Sequence, residues 1–160
     1  MAIETISVNL VTAEGLLRNW QGHRRLTRKT LEAFPEDKLF QFSVGGMRPF
    51  GEMAMELIAM AVPVVEGVSS GKWEAFQHKK VSTKSELLSL WDAQTAQLDE
   101  KFPKIPPPRF WEVDKAFGEW EMPGLVTIQY AIDNEIHHRG QGYVYLRALG
   151  IEPPPFWDRN

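Results

Sequence analysis

The chain of 160 residues has no cysteine. That excludes a disulfide framework, a thiolate metal site and a cysteine nucleophile. It leaves the compartment open, although a cysteine-free chain suits a reducing cytosol. An excess of one charge is also lacking, since 18 basic residues stand against 21 acidic ones and the net charge is −3. No basic block goes beyond Arg24-Arg25 and His78-Lys79-Lys80. The electrostatic footprint of a nucleic-acid binder is therefore not expected. The longest apolar run, Leu57 to Val65, is too short to cross a bilayer, so no membrane partner is expected. Met1-Ala2-Ile3-Glu4 does not open a basic region followed by a long apolar run, so no secretory signal is read. Internal repeats, low-complexity tracts, a P-loop and a Ser-His-Asp signature are missing too. With 43% hydrophobic residues the length favours a single domain over 1–160, soluble and cytoplasmic by default.

What is present is organised around Asn134-Glu135-Ile136-His137-His138-Arg139-Gly140-Gln141. The segment from Gly124 to Leu149 reads as one helix. Leu125, Ile128, Ile132, Ile136, Tyr143, Leu146 and Leu149 recur at helical spacing. Pro123 suits a first helical position, and Gly150 suits a left-handed end. Pro153-Pro154-Pro155 then forbids continuation. Asn134 and His138 are four apart, hence on one face, with Cβ atoms roughly 6 Å apart. Two donors at that spacing can grip one ion. Ala131 and Gly142 on the same stripe are small and leave room beside them. His137 is turned by about 100° from its neighbour and does not readily serve the same centre. The alternative is that this His-His-Arg run simply solvates a helix surface.

Earlier in the chain, residues 1–11 read as a lead-in and Thr12 as an N-cap. A helix to about Phe34 carries Leu16, Trp20, His23, Thr27, Thr30 and Phe34 on one stripe, widened by Leu17, Leu26 and Leu31. His23 on that face is a core or second-layer histidine, or else a ligand. A loop over 35–48 precedes a second helix, which runs from Pro49 to about Val68, and Pro63 should kink it or end it early. Glu56 interrupts an apolar stripe of Met53 and Met60. It is either partnered at a polar centre or exposed at the rim. Thr83-Lys84-Ser85-Glu86 is a capping-box sequence opening a third helix through Leu87, Leu90, Trp91, Gln94 and Leu98. After Pro106-Pro107-Pro108, the aromatic-rich residues 109–121 fit either a covering loop or a short hairpin. Four amphipathic helices, near 12–34, 49–68, 83–102 and 123–149, predict an all-α fold, a four-helix bundle.

His137-His138-Arg139-Gly140-Gln141, Tyr145-Leu146-Arg147 and Leu149-Gly150-Ile151-Glu152-Pro153-Pro154 together resemble the closing motif of the DinB-like (YfiT-like) bundle family. Phe50-Gly51-Glu52-Met53-Ala54-Met55-Glu56 and Phe34-Pro35-Glu36 resemble two further motifs, so the resemblance spans essentially the whole chain. It implies a divalent metal held by one second-helix residue and two last-helix residues four apart. Those positions are Glu56, Asn134 and His138 here, so two of the family's three histidines are replaced. The ion implied is zinc, nickel, manganese or iron, and the oxygen-rich set shifts preference from zinc or nickel toward manganese, iron or magnesium. With two histidines replaced, the site can also stand without metal.

The resemblance implies a small-molecule substrate and a metal-dependent thiol S-transferase or a hydrolase. The contrasting reading is a non-catalytic binding or stress-response protein with a degenerate metal site. No catalytic residue is assigned. A homodimer is also implied, and the aromatic segment or the Phe156-Trp157 tail either supplies that contact or covers the domain's own core. Arg139 and Gln141 flank the pair and read as pointing away from it. Arg139 is expected in a structural role, pairing a carboxylate or a helix end.

Overall fold

The computed structural model describes residues 11–76 and 79–160; the expected lead-in over 1–11 lies outside them except for Val11. Its main body is helical. Four long helices are α1 (Ala13–Ala33), α3 (Phe50–Ser70), α4 (Lys84–Lys101) and α5 (Gly124–Ala148). A one-turn helix, α2 (Glu36–Leu39), sits in the 35–48 connection that reads as loop. Strands β1 (Val113–Ala116) and β2 (Trp120–Pro123) make an antiparallel hairpin, which settles the reading of 109–121. α3 packs on α5 and α4, and α1 packs on the same two helices.

The ends follow from local chemistry. The Thr12 hydroxyl accepts the Gly15 N–H (3.0 Å), and Thr83 with Glu86 closes the expected capping box. Pro49 and Pro123 stand one residue earlier than expected, as N-caps, and Pro123 still pairs with Val113 in the hairpin. Gly150 is left-handed (φ +74°), and the Ile151 N–H returns to the Leu146 carbonyl. Pro63 does not end α3, which continues to Ser70. The missing N–H is tolerated in a helix pinned from α4, where the Gln94 amide donates to the Ile58 carbonyl. By length and composition α3 is the one described helix able to cross a membrane, yet it lies in the core between α4 and α5.

The core is in two parts. One contains Trp20, Val64, Val68, Leu98, Phe102, Ile128 and Ile132. The other contains Leu31, Phe34, Phe50, Met53, Leu57, Trp91, Tyr145 and Leu146. Between them, at His23–Thr27 on α1 and Asn134–Arg139 on α5, runs a polar layer. Gly142 supplies no free space, contrary to expectation: a Cβ there would meet the Phe50 ring at 2.7 Å. Ala131 is likewise packed into the first core. The outer aromatics Trp111, Phe156 and Trp157 are exposed and do not cover the core. At the base of the hairpin Arg109 donates to the Val68 carbonyl (2.7 Å) and to Glu112 and Asp114, tying the end of α3 to β1.

Candidate functional site

Spacing on α5 turns Asn134 and His138 toward α3, where Glu56 sits one turn after Met53. Glu56 Oε1 accepts from Asn134 Nδ2 at 3.3 Å and lies 3.3 Å from His138 Nε2. The three expected residues therefore meet. The partnered reading of Glu56 holds, although its side chain keeps 35% exposure. A fourth member was not expected: Arg48, just before α3, pairs with Glu56 Oε2 at 2.6 Å. Tyr145 of α5 donates to the Arg48 carbonyl (2.9 Å) and so fixes the backbone from which that guanidinium projects. Burial alone would raise the Glu56 pKa, but the bonds from Arg48, Asn134 and His138 outweigh it and hold the carboxyl below its usual range.

Gln141 also departs from expectation. It lies one turn beyond His138, and its Oε1 stands 3.1 Å from His138 Nδ1, while its Nε2 reaches His137 Nε2 at 3.2 Å. The contacts admit two arrangements. With Gln141 Oε1 accepting from Nδ1–H, the bare Nε2 faces a carboxylate oxygen and a cation can sit between the two acceptors; with the Gln141 amide turned over, Nε2–H donates to Glu56. Among the described residues no three histidine, cysteine, aspartate or glutamate side chains group together. The third member of this centre is an amide, Asn134.

The other face of the same turn builds the polar layer toward α1. Glu135, 2% exposed, accepts the Trp20 indole N–H (3.1 Å) and the Thr27 hydroxyl (2.7 Å). Arg139 is buried and donates to the His23 carbonyl, to Thr27 and to the His23 ring. Its role is structural, as expected, but it bonds a helix carbonyl, a hydroxyl and a ring rather than a carboxylate. Burial, then the neighbouring Arg139 and Arg159 charges, push the His23 pKa down to about 4. Arg24 stacks on Trp91, 4.0 Å from the ring centroid, and donates to its carbonyl. His23 is thus a neutral core residue, away from the Glu56 centre. The helical spacing Ile128, Ala131, Ile132, Glu135, His138, Arg139, Gly142 would have shown Glu135 inward. An apolar stripe through Ile136, which is exposed, concealed it.

Beside Glu56 opens a cavity of about 350 Å³. α3 supplies Glu56, Ala59, Met60 and Val64, and the hairpin and α5 supply Phe117, Trp120, Met122 and Tyr130. Apart from Glu56, the described residues of its walls carry no charged group. No local sequence signal predicts it, because its walls come from separate elements.

The DinB family model matches residues 8–159. The uncharacterized protein YjoA of Bacillus subtilis (strain 168) is 22% identical over 148 residues, 91% of this chain and 96% of that protein. A DinB-like protein from Bacillus cereus ATCC 10987 has a similar solved structure, with TM-score 0.71, 22% identity, and coverage of 89% of this chain and 95% of that one. The solved structure of YjoA gives TM-score 0.74 at 20% identity, covering 89% and 96%. At these identities the likeness shows the fold.

Proposed function

This chain belongs to the DinB family, and from that premise we propose that it is a single-domain, cytoplasmic four-helix-bundle protein binding a small molecule beside a divalent-cation site at Glu56, Asn134 and His138. The bundle reading is supported by the pairing of α1 and α3 each with α4 and α5. The metal reading is supported by one observation above the others: His138 Nε2 faces Glu56 Oε1 at 3.3 Å while Nδ1 is held by Gln141. A cation placed there would satisfy both acceptors. The Asn134 amide, turned over, would present its oxygen to the same point. A carboxylate, an amide oxygen and one imidazole form a set suited to manganese, iron or magnesium more than to zinc or nickel.

Such an ion is a Lewis acid that lowers the pKa of a bound thiol or water, which favours a thiol S-transferase or a hydrolase acting on a small molecule. The chain's own residues do the rest. Gln141 orients the His138 ring, as second-layer groups do for metal-bound histidines. Glu56 supplies the negative charge, and the adjoining cavity excludes water from an apolar substrate. Exposed Trp111, Phe156 and Trp157 would serve a homodimer contact.

A second reading is favoured by the Arg48–Glu56 pair at 2.6 Å. A guanidinium already compensates the carboxylate, so the centre can stand without metal in a non-catalytic binding protein. Inductively coupled plasma analysis of protein purified without a nickel column separates the two. The metal reading expects a stoichiometric divalent ion, and its absence after growth in metal-replete medium would favour the second. Calorimetric zinc titration of Asn134→His should show tighter binding than wild type, since imidazole is the better donor. An unchanged affinity would count against a shared site.

A further inference from the structure

We propose that the cavity between α3, α5 and the hairpin binds a small uncharged aromatic molecule carrying a hydrogen-bond donor, with its ring against Phe117 and Trp120 and its donor on Glu56. The cavity deepens the small-molecule reading above and rests on it only for Glu56 as the floor. At about 350 Å³ it falls at the small end of ligand pockets, about 300–1,000 Å³.

Three observations give the ligand its chemistry. The wall is aromatic: the Phe117 ring lies 4.3 Å from Phe76 and 6.4 Å from Trp120 between centroids. Trp120 and Tyr130 border this cavity yet stay half-exposed, so they offer ring surface that the fold itself does not use. Met60 and Met122 add polarizable sulfur, which packs well on a flat ring.

The second observation is backbone strain. Phe117 is the one described non-glycine residue with positive φ, at +53°. A bulky side chain rarely adopts that region, and such residues collect where a ligand is gripped. Here it opens the hairpin turn, followed by Gly118 at φ +75°, and it swings the ring onto the cavity wall rather than away from it.

The third observation concerns the floor. Glu56 already takes bonds from Arg48, Asn134 and His138. A carboxylate has about four lone-pair positions, so with His138 donating in the ion-free protein one is left, and it accepts. The ligand must therefore donate, through a hydroxyl or an N–H. An anionic head group would meet an acceptor and find no free cation among the described wall residues.

The test is calorimetric titration of EDTA-treated protein with 2-naphthol and with 2-naphthoate, which share a ring system and differ in the head group. Saturable binding of 2-naphthol is expected, with 2-naphthoate weaker by at least about tenfold. Phe117→Asn keeps a residue that tolerates the left-handed backbone and removes the ring. It should weaken 2-naphthol by at least about tenfold, with some fall in melting temperature from the lost Trp73 and Phe76 contacts, and Phe117→Tyr should restore both. Should Phe117→Asn fail to fold, Glu56→Gln reads the floor instead: it should narrow the gap between the two probes. No saturable binding of 2-naphthol, equal affinities for both probes, or insensitivity to both variants overturns the proposal. Binding that requires added manganese also overturns it while leaving the metal reading standing. Binding by protein that takes up no ion upholds it and removes the metal reading.

Discussion

Glu135→Ala tests the polar layer most directly. The carboxylate is 2% exposed and accepts from Trp20 and Thr27. Arg24 and Arg139 are its nearest positive charges, and both are buried. Truncation to alanine leaves an indole N–H and a hydroxyl without their acceptor and two guanidiniums without their counter-charge. Removing one partner of a buried charged set costs about 3–5 kcal/mol. In a domain of this size each kcal/mol lowers the melting temperature by about 2–4 °C, so the expected fall is about 6–20 °C. Urea denaturation should show a lower midpoint at unchanged slope. Glu135→Gln keeps the shape and one acceptor, and should cost about 1–3 kcal/mol.

A pH dependence accompanies this. Burial pushes the Glu135 carboxyl above its usual 4.5 and outweighs the opposing pull of Arg24, Thr27 and Trp20. The folded chain then holds that proton more tightly than the unfolded chain, so this group makes wild type lose stability as pH rises from about 4.5. Glu135→Gln lacks the slope, and its deficit against wild type should shrink with rising pH. An alanine variant within about 1 kcal/mol of wild type would refute the buried-cluster reasoning.

Two glycines on α5 should respond with opposite signs. Gly140 has open space where a Cβ would go, so Gly140→Ala should gain about 0.5–1 kcal/mol from helix propensity alone. At Gly142 the new Cβ meets Phe50 at 2.7 Å, and Gly142→Ala should lose about 1–3 kcal/mol by overpacking; equal urea midpoints would contradict the packing. His23 is held neutral in the folded state, with its pKa near 4 against 6.5 when unfolded, so it contributes stability above pH 6.5 that is lost as pH falls toward about 4. His23→Gln should flatten that part of the profile, worth up to about 3 kcal/mol at 1.36 kcal/mol per pKa unit, and an unchanged slope in thermal melts would speak against it. Arg48→Met removes the guanidinium from Glu56 and should tighten manganese binding by calorimetry; weaker binding would mean that Arg48 helps to build the site.

Much of the helical framework could be read locally. The Thr12 cap, the Thr83–Glu86 box and the left-handed Gly150 depend on side chains within a few residues of the bonds they make. The Asn134–His138 pair is equally local, because a helix places positions four apart on one face whatever surrounds it. Even Glu56 was marked by its intrusion into an apolar stripe. Such features depend on short-range geometry, which the order of residues already contains.

Tertiary packing decided the rest. Pro63 could have ended α3, but burial between α4 and α5 keeps the helix running to Ser70. Glu135 takes its donors from Trp20 and Thr27, more than a hundred residues earlier. Arg48, which precedes α3, meets Glu56 within it. The aromatic cavity has walls from four parts of the chain and no local precursor. The sequence by itself determined where helices start, stop and present a polar pair, since those are contests among neighbouring dihedrals and hydrogen bonds. Only the tertiary structure decided which charges are buried, which are neutralised and where a ligand can enter, because desolvation and pairing depend on groups that meet through space.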